Sequence, residues 1–551
     1  MYGLYYKNNL KYLIYLKYKI FILCYNIIMS QNSNSGNLPP TSTKPKNKAI
    51  VNSLLSATLV GLSANKIEVE ATFNRGLPGF AVVGLVSSDI QESKERVKSA
   101  LLTNEFKFPP LKITINLSPS DIKKRGTHFD LSIALLIALQ KKKIDETELY
   151  VFGELGLDGR VKSSSTLFPI ILSLKEQGLL KRAIVPKEAM EHLSHIAGVE
   201  FIAVDSLSEA ISLLTDKSYQ TSTQKFEYKS DSLSVADRTY YYENSIENDF
   251  KDVKGQNIAK RAGLIAAAGM HNFMMEGNPG CGKSMIAKRL KDILPPLLEE
   301  EMLSIAKHQF LDGTTPDFLA KRPMRSPHHT ATTASIFGGG SIQARIGEVA
   351  LAHKGMLFFD ELPHFSKNIL EALREPLQDR KVNISRVHSK VEYEADIMFV
   401  SAMNPCACGN LLSKRKACRC SEQEIKRYKN KLSDPFLDRI DLFVVMQEIS
   451  PEDKSGISSK EMKNLVNKAF ILQKERGQKN LNGKLFESEV EEFCKLTIEA
   501  EAILYSAIER FSLSHRSLES IKKVARTIAD LEESKEIEKI HILEALSYRK
   551  R

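Results

Sequence analysis

Gly277-Asn278-Pro279-Gly280-Cys281-Gly282-Lys283-Ser284 fits the phosphate-cradling pattern G-x-x-x-x-G-K-[ST] at every fixed position. Ahead of it, Asn272-Phe273-Met274-Met275-Glu276 reads as a short buried strand, and after it Met285 to Leu290 begins a helix. Strand, loop and helix are the context the pattern requires. The glycines let backbone N–H groups close around phosphates, and the helix start adds its dipole. Lys283 is placed to reach the β- and γ-phosphates and the Ser284 hydroxyl to ligate Mg²⁺. The stretch therefore predicts a nucleoside-triphosphate site, ATP with Mg²⁺.

Two further strand ends supply partners. Met356-Leu357-Phe358-Phe359 runs into Asp360-Glu361, where Asp360 is expected to hold Mg²⁺ through its water shell and Glu361 to orient the attacking water. The strand Asp396 to Ala402 leads to Met403-Asn404, so Asn404 is the candidate polar sensor at a strand tip. In Pro435-Phe436-Leu437-Asp438-Arg439-Ile440-Asp441-Leu442 an arginine stands between acids ahead of an apolar strand. Arg439 is either an arginine donated across a subunit seam or one side of a salt bridge with Asp438 or Asp441.

The whole chain sets the bounds. Its 551 residues are 42% hydrophobic and 26% charged, which is globular composition and enough for roughly three domains. The net charge of +11 suits a polyanionic partner or a solvated basic surface. Of seven cysteines, four crowd between Cys406 and Cys420, which suits metal or thiol chemistry in a reducing, cytoplasmic compartment better than a disulfide framework. Cys406-x-Cys408 and Cys418-x-Cys420 offer either a tetrahedral Zn²⁺ site or four reduced thiols. Cys281 belongs to the phosphate loop, and Cys24 and Cys494 are expected to be inert.

Along the chain, Lys7, Lys11, Lys17 and Lys19 break up the first 28 residues, and the apolar piece Ile20 to Ile28 is too short to span a bilayer, so no membrane association is expected. Met29 is the preferred start, followed by a polar tail. Residues 1–48 are therefore set aside as an extension. A mixed α/β domain is expected over 49–215, with strands at Lys66 to Phe73, Leu111 to Asn116, Leu149 to Phe152 and Ala183 to Val185, and helices at Asp89 to Leu102 and Leu131 to Leu139. Residues 216–247, rich in Ser, Thr, Tyr, Lys and Asp, read as a linker. The nucleotide core is expected over 248–449 and a helical domain over 450–551, ending in a run from Ile537.

Together these residues resemble the magnesium-chelatase-like branch of the AAA+ ATPases, and within it the YifB/ComM group. The resemblance rests on Lys254-Gly255-Gln256, the phosphate loop, Arg325 to Ala331 (RSPHHTA), Gly338 to Gly340, Gly347 to His353, LFFDELP, Ile384 to Arg386, Ala402 to Cys406, FLDRIDL, Leu513 to Arg516 and Val524 to Leu531. The fold it implies is multidomain α/β: a Lon-protease-like (ribosomal S5-like) first domain, an AAA+ core and a C-terminal helical lid. The first domain carries GLPGFAVVGL at Gly76 to Leu85, but His128, within Lys124 to Asp130, stands where Lon-type peptidases keep a serine. No paired lysine follows Gly159-Arg160-Val161, so acyl transfer is not expected. The domain reads as a recruitment or oligomerisation module.

By the same resemblance Arg439 is the trans finger, Arg516 the lid arginine sensing the γ-phosphate, and the assembly an ATP-dependent homo-hexamer. Two positions depart from the group: His364 replaces a more usual acid, and Ser520 replaces a frequent second lid arginine. His328 and His329 belong to the RSPHHTA block and are expected to make loop contacts rather than bind metal. The group's described activity implies a DNA motor that moves branch points during natural transformation, with branched or single-stranded DNA as partner. Lys414, Arg415, Lys416, Arg419, Lys426, Arg427, Lys429 and Lys431 form either a phosphate-facing stretch or a solvated basic face. Arg345, at the end of the Gly338 to Arg345 run, is a candidate pore contact to DNA. A metal-insertion motor subunit and a non-catalytic regulator are the competing classes, the second opposed by Lys283, Asp360, Glu361 and Arg439.

Overall fold

Alternation decides the first domain. In Ser63–Asn74 the buried residues Ile67, Val69 and Ala71 alternate with Lys66, Glu68 and Glu70, which are exposed or half-buried, so one face of the strand packs tightly while the other is buried only near Ala64. It pairs antiparallel with Asn52–Val60, from Asn52↔Ala71 to Val60↔Ser63, and with Lys112–Ser118. The full sheet runs Gly79–Val83, Lys112–Ser118, Ser63–Asn74, Asn52–Val60, Leu149–Val151, Arg182–Pro186 and Glu200–Val204. The computed structural model describes residues 52–142, 148–216, 228–339, 345–385, 390–450, 452–511 and 513–549. Expectations on residues 1–48, with Met29 and Cys24, lie outside the described residues, as do Gly340 and Arg386.

Helix Asp130–Ala138 is almost wholly apolar and buried, against the sheet on one side and helix Ser88–Thr103 on the other. The opposite face of the sheet carries Leu167–Glu176, whose Phe168 stacks on Phe310 of helix Glu299–Asp312 with ring centroids 4.8 Å apart. Lys307 on that helix pairs with Glu176 at 3.0 Å. The first domain is thus packed directly on the nucleotide core.

Within the stretch expected to be a linker, Asp231–Val235 and Arg238–Tyr242 form a hairpin extended by Leu297–Leu298. Ala236 and Asp237, at φ 49° and 59°, make its two-residue left-handed turn. Val235 and Tyr240 are buried, and Tyr240 meets the Phe470 ring edge-on at 4.9 Å. Polar composition concealed an inward face of alternate residues, which is why the segment is sheet and not loose chain.

The nucleotide core is a five-stranded parallel sheet in the order Met324–Arg325, Met356–Phe359, Met398–Met403, Phe273–Gly277, Leu442–Met446. Covered on both faces, its central strands are continuous apolar runs. The strands expected at 272–276 and 396–402 sit one to two residues later in the chain. The last domain is helical: Ser459–Glu475, Glu487–Phe493, Ile498–Phe511, His515–Leu531 and Lys539–Ser547. Ser458 and Glu461 close a capping box at its start. Its Val524, Ile528 and Phe470 share one core with Phe273, Val400 and Leu442 of the sheet. The Val524 to Leu531 block earns its polar letters from a buried network. There Asp530 pairs with Arg526 at 3.0 Å and accepts from Asn482 at 2.8 Å. Among the described residues no helix is long and apolar enough to cross a membrane.

Candidate functional site

The parallel sheet brings the ends of three strands together, where a doubly covered α/β sheet binds its ligand. Phe273–Gly277 leads into the phosphate loop, whose Gly280 and Gly282 hold φ of 81° and 97°, a region that favours glycine. Helix Lys283–Leu290 starts there and presents its free N–H groups to the same space. Lys283 Nζ donates to the carbonyls of Gly277 (2.6 Å) and Asn278 (3.0 Å) and to Asn404 Oδ1 (3.1 Å). Burial lowers the Lys283 pKa from its ordinary value, opposed by Cys281, Asp360 and Glu361. A phosphate beside it would raise that pKa again, because an adjacent anion favours the ammonium form.

Ser284 Oγ donates to Asp360 Oδ2 at 2.7 Å. A hydroxyl and a carboxylate oxygen converging beside the phosphate loop are the hard donors that Mg²⁺ prefers, so the residues fit that ion. The phosphate-loop lysine and serine, the strand-end acid and the strand-tip asparagine are thus brought to one point, as their spacing predicts.

Glu361 is exposed and takes φ 51°, in the left-handed region. Two imidazoles meet it: His364 Nδ1 at 3.3 Å and His329 Nδ1 at 3.7 Å. The partner of His329 is thus the candidate water-orienting acid. His364, the departure from the group, is a neighbour of that acid too. His328 bonds Thr330 Oγ1 at 2.8 Å.

Arg439 and Arg516 lie elsewhere. Phe273–Gly277 and Leu442–Met446 run in parallel register, Phe273↔Leu442 to Gly277↔Met446, so Arg439 sits at the start of the strands and Lys283 at their end. Roughly 13 Å of strand, at ~3.3 Å per residue, separates the two edges. Arg439 forms neither acidic pair considered from its sequence. It donates to the carbonyls of Arg374 (3.0 Å) and Pro435 and to Gln378 Oε1 (2.6 Å). Asp441 turns instead to Ser520 Oγ (2.6 Å), the Asn272 amide (2.9 Å) and His271 (3.7 Å). Arg439 and Arg516 line one cleft with Asn272, Asp438 and Lys523. Burial, then the like charge of Arg516, lowers the Arg439 pKa. The two arginines form one cationic face remote from the phosphate loop of their own chain.

At Ser520 the structure brings up an arginine that sequence reasoning missed. Arg549 donates to Ile440 O (2.8 Å), Ser517 Oγ (3.0 Å) and Ser520 Oγ (3.4 Å).

The four clustered cysteines are free and converge. Their sulfurs stand 3.4 Å (Cys406–Cys408), 3.7 Å (Cys406–Cys418) and 3.6 Å (Cys408–Cys418) apart, with Cys420 within 4.8 Å of the rest. Of the basic stretch, Lys429 is tied to buried Glu276 at 2.8 Å and Lys431 to Pro363 O at 3.1 Å. Lys414, Arg415, Lys416, Arg419, Lys426 and Arg427 are exposed. Lys426, Arg427 and Lys431 also border a groove with Lys367, Asn430 and Phe365. Arg345 is exposed on a short hairpin, opposite Gly339.

In the first domain His128 is buried, with Nε2 2.8 Å from the Ala57 carbonyl and its ring 4.5 Å from Phe129. Burial pushes its pKa down to about 4, so at neutral pH it is an uncharged structural donor. The ring is closed off from solvent.

Comparison with known families matches this architecture segment by segment. "Magnesium chelatase, subunit ChlI" covers residues 249–454, "Subunit ChlI of Mg-chelatase" residues 69–189, and "Magnesium chelatase, subunit ChlI C-terminal" residues 456–549. Competence protein ComM of Haemophilus influenzae is 35% identical over 90% of this chain and 96% of its own length. YifB of Escherichia coli is 36% identical over 89% and 95%. A magnesium-chelatase 67 kDa subunit of Chlorobaculum parvum is 25% identical, over 28% of this chain and 23% of its own. With the phosphate loop, the strand-end acids and the helical lid all in their places, the chain belongs to the ComM/YifB family of magnesium-chelatase-like AAA+ ATPases.

Proposed function

We propose that this ATPase works as a homo-hexameric ring that remodels branched or single-stranded DNA, moving branch points during recombination in natural transformation. The observation that carries the ring is the separation of Lys283 from Arg439 and Arg516 across the sheet. A site that needs cationic charge on both sides of the γ-phosphate is complete only when a neighbour's arginine face meets this chain's phosphate loop. In that seam Lys283 leaves its carbonyl partners for the β- and γ-phosphates. Ser284 and Asp360 would hold Mg²⁺, which neutralises phosphate charge. Glu361, steered by His329 and His364, orients the water, and Asn404 reports on the γ-phosphate through its contact with Lys283.

DNA as the partner rests on the relationship to ComM and on the exposed cations of residues 414–427, with the Lys426, Arg427, Lys431 and Lys367 groove giving them direction. We assign the first domain, on its group's Lon-like pattern, to recruitment or assembly, since buried His128 stands in the serine's place and no paired lysine is recognisable. The cytoplasm, where ATP and DNA are found, is its proposed compartment. The testing experiment is ATP turnover by the full chain with and without four-way-junction or single-stranded DNA. Stimulation supports the reading; turnover indifferent to either DNA, with intact basal activity, returns the chain to the metal-insertion class suggested by the chelatase subunit match.

A further inference from the structure

The geometry of the 406–420 loop carries a second site. Four thiols ligating one tetrahedral Zn²⁺ at about 2.3 Å place their sulfurs about 3.8 Å apart. The observed separations of 3.4, 3.7 and 3.6 Å approach that value and are far from a disulfide. Gly409, at φ 78°, supplies the sharp turn after the tight Cys406-x-Cys408 pair, and its amide closes back on the Cys406 carbonyl at 3.0 Å. Backbone amides of Arg419 and Asn410 point at the Cys408 sulfur, that of Cys420 at Cys418, and that of Cys408 at Cys420. Amides aimed at sulfur are the outer support that thiolate ligands use.

The loop is also fastened to the nucleotide site. A Cβ on Gly409 would stand 2.7 Å from Pro279, so the loop backbone lies directly on the phosphate loop. Glu448 clamps both: Oε1 accepts from Asn278 Nδ2 (3.2 Å) and Ser413 Oγ (2.5 Å), and Oε2 from the Lys414 amide (3.1 Å). Cys406, the buried member, lies two residues beyond Asn404, which accepts from Lys283. We propose that Cys406, Cys408, Cys418 and Cys420 bind one structural Zn²⁺, and that this centre sets nucleotide affinity by holding the phosphate loop and Asn404 in place.

Zn²⁺ entering four S–H groups releases four protons to solvent and leaves a Zn(S–Cys)₄ unit of charge −2. Lys414, Arg415, Lys416 and Arg419, all exposed, lie in the same loop. No electron transfer is involved.

The test uses the full chain, prepared reduced and without chelator. One zinc per chain by elemental analysis, and tetrahedral cobalt–thiolate absorption when Co²⁺ replaces it, are expected. Sub-stoichiometric zinc, with no such absorption on adding Co²⁺ to reduced protein, overturns the site. Binding of a fluorescent ATP analogue is then compared with and without zinc. Loss of metal, by chelation or in Cys418→Ser/Cys420→Ser, is expected to weaken affinity on the order of tenfold, as for coupled sites. Ser413→Ala, which keeps all four thiols, is expected to retain zinc and still bind nucleotide more weakly. Unchanged affinity in zinc-free protein that keeps its circular dichroism and melting transition overturns the coupling and leaves the metal as a local staple. Both arms are independent of DNA and of ring activity.

Discussion

At the scale of single residues the nucleotide site makes separable demands on binding and on chemistry. Lys283 touches carbonyls, Asn404 and, in the proposed reaction, phosphate, so Lys283→Ala is expected to abolish tight ATP binding. Glu361 is outside that cradle, exposed and flanked by His329 and His364. Glu361→Gln should therefore keep nucleotide affinity while turnover falls about 10²- to 10⁴-fold, the usual worth of a positioned base. Equilibrium binding and steady-state phosphate release read the two effects separately. His128 makes a different prediction. Its folded pKa of about 4 lies below the ordinary 6.5, so between those values the unfolded chain binds more protons than the folded one. Stability contributed by keeping it neutral is complete above pH 6.5 and drains as pH falls toward 4, by about 3 kcal/mol in all. His128→Gln, which can still donate to Ala57, should flatten that acid limb in urea titrations.

At the scale of elements, legibility followed burial. Strands covered on both faces announce themselves as apolar runs ending in polar motifs. Thus Phe273–Gly277, Met356–Phe359 and Met398–Met403 were readable with their functional tips Lys283, Asp360 and Asn404. Asn52–Val60 was missed because its buried face includes Ser56 and Thr58, the latter accepting from the Arg125 amide. The hairpin Asp231–Tyr242 was missed because Ser, Asp and Thr on its outer face outnumber Val235 and Tyr240 on the inner one. Tyr240→Ala should accordingly cost about 3 kcal/mol, the range for a large buried aromatic, measured as a lower denaturation midpoint of the full chain. A linker would lose nothing. Glu448 and Arg549 carried no motif at all; each acts by joining segments far apart in sequence. The basic stretch was legible as charge but not as contact: only the fold shows Lys429 spent on Glu276 and Lys426 and Arg427 exposed. Lys426→Ala and Arg427→Ala should each reduce the salt slope of DNA binding by about one. Arg345→Ala should lower DNA affinity likewise, and unchanged affinity would remove Arg345 from the DNA path.

At the scale of the whole molecule, the chain holds two separate clusters that the proposed ring would bring together. The phosphate loop, Asp360, Glu361 and Asn404 occupy one edge of the parallel sheet, and Arg439 with Arg516 the other. Spacing in sequence could not show that the two arginines share a cleft, because one closes the core and the other opens a lid helix. The helical lid shares a core with the sheet, and the first domain packs on helix Glu299–Asp312. Complementation between two dead variants tests this arrangement most directly. Lys283→Ala and Arg439→Ala proteins should each be inactive alone, and mixing them in ATP should restore turnover, because some seams then join an intact lysine to an intact arginine. Full turnover by Arg439→Ala alone, or a mixture as silent as its parts, would contradict a shared site.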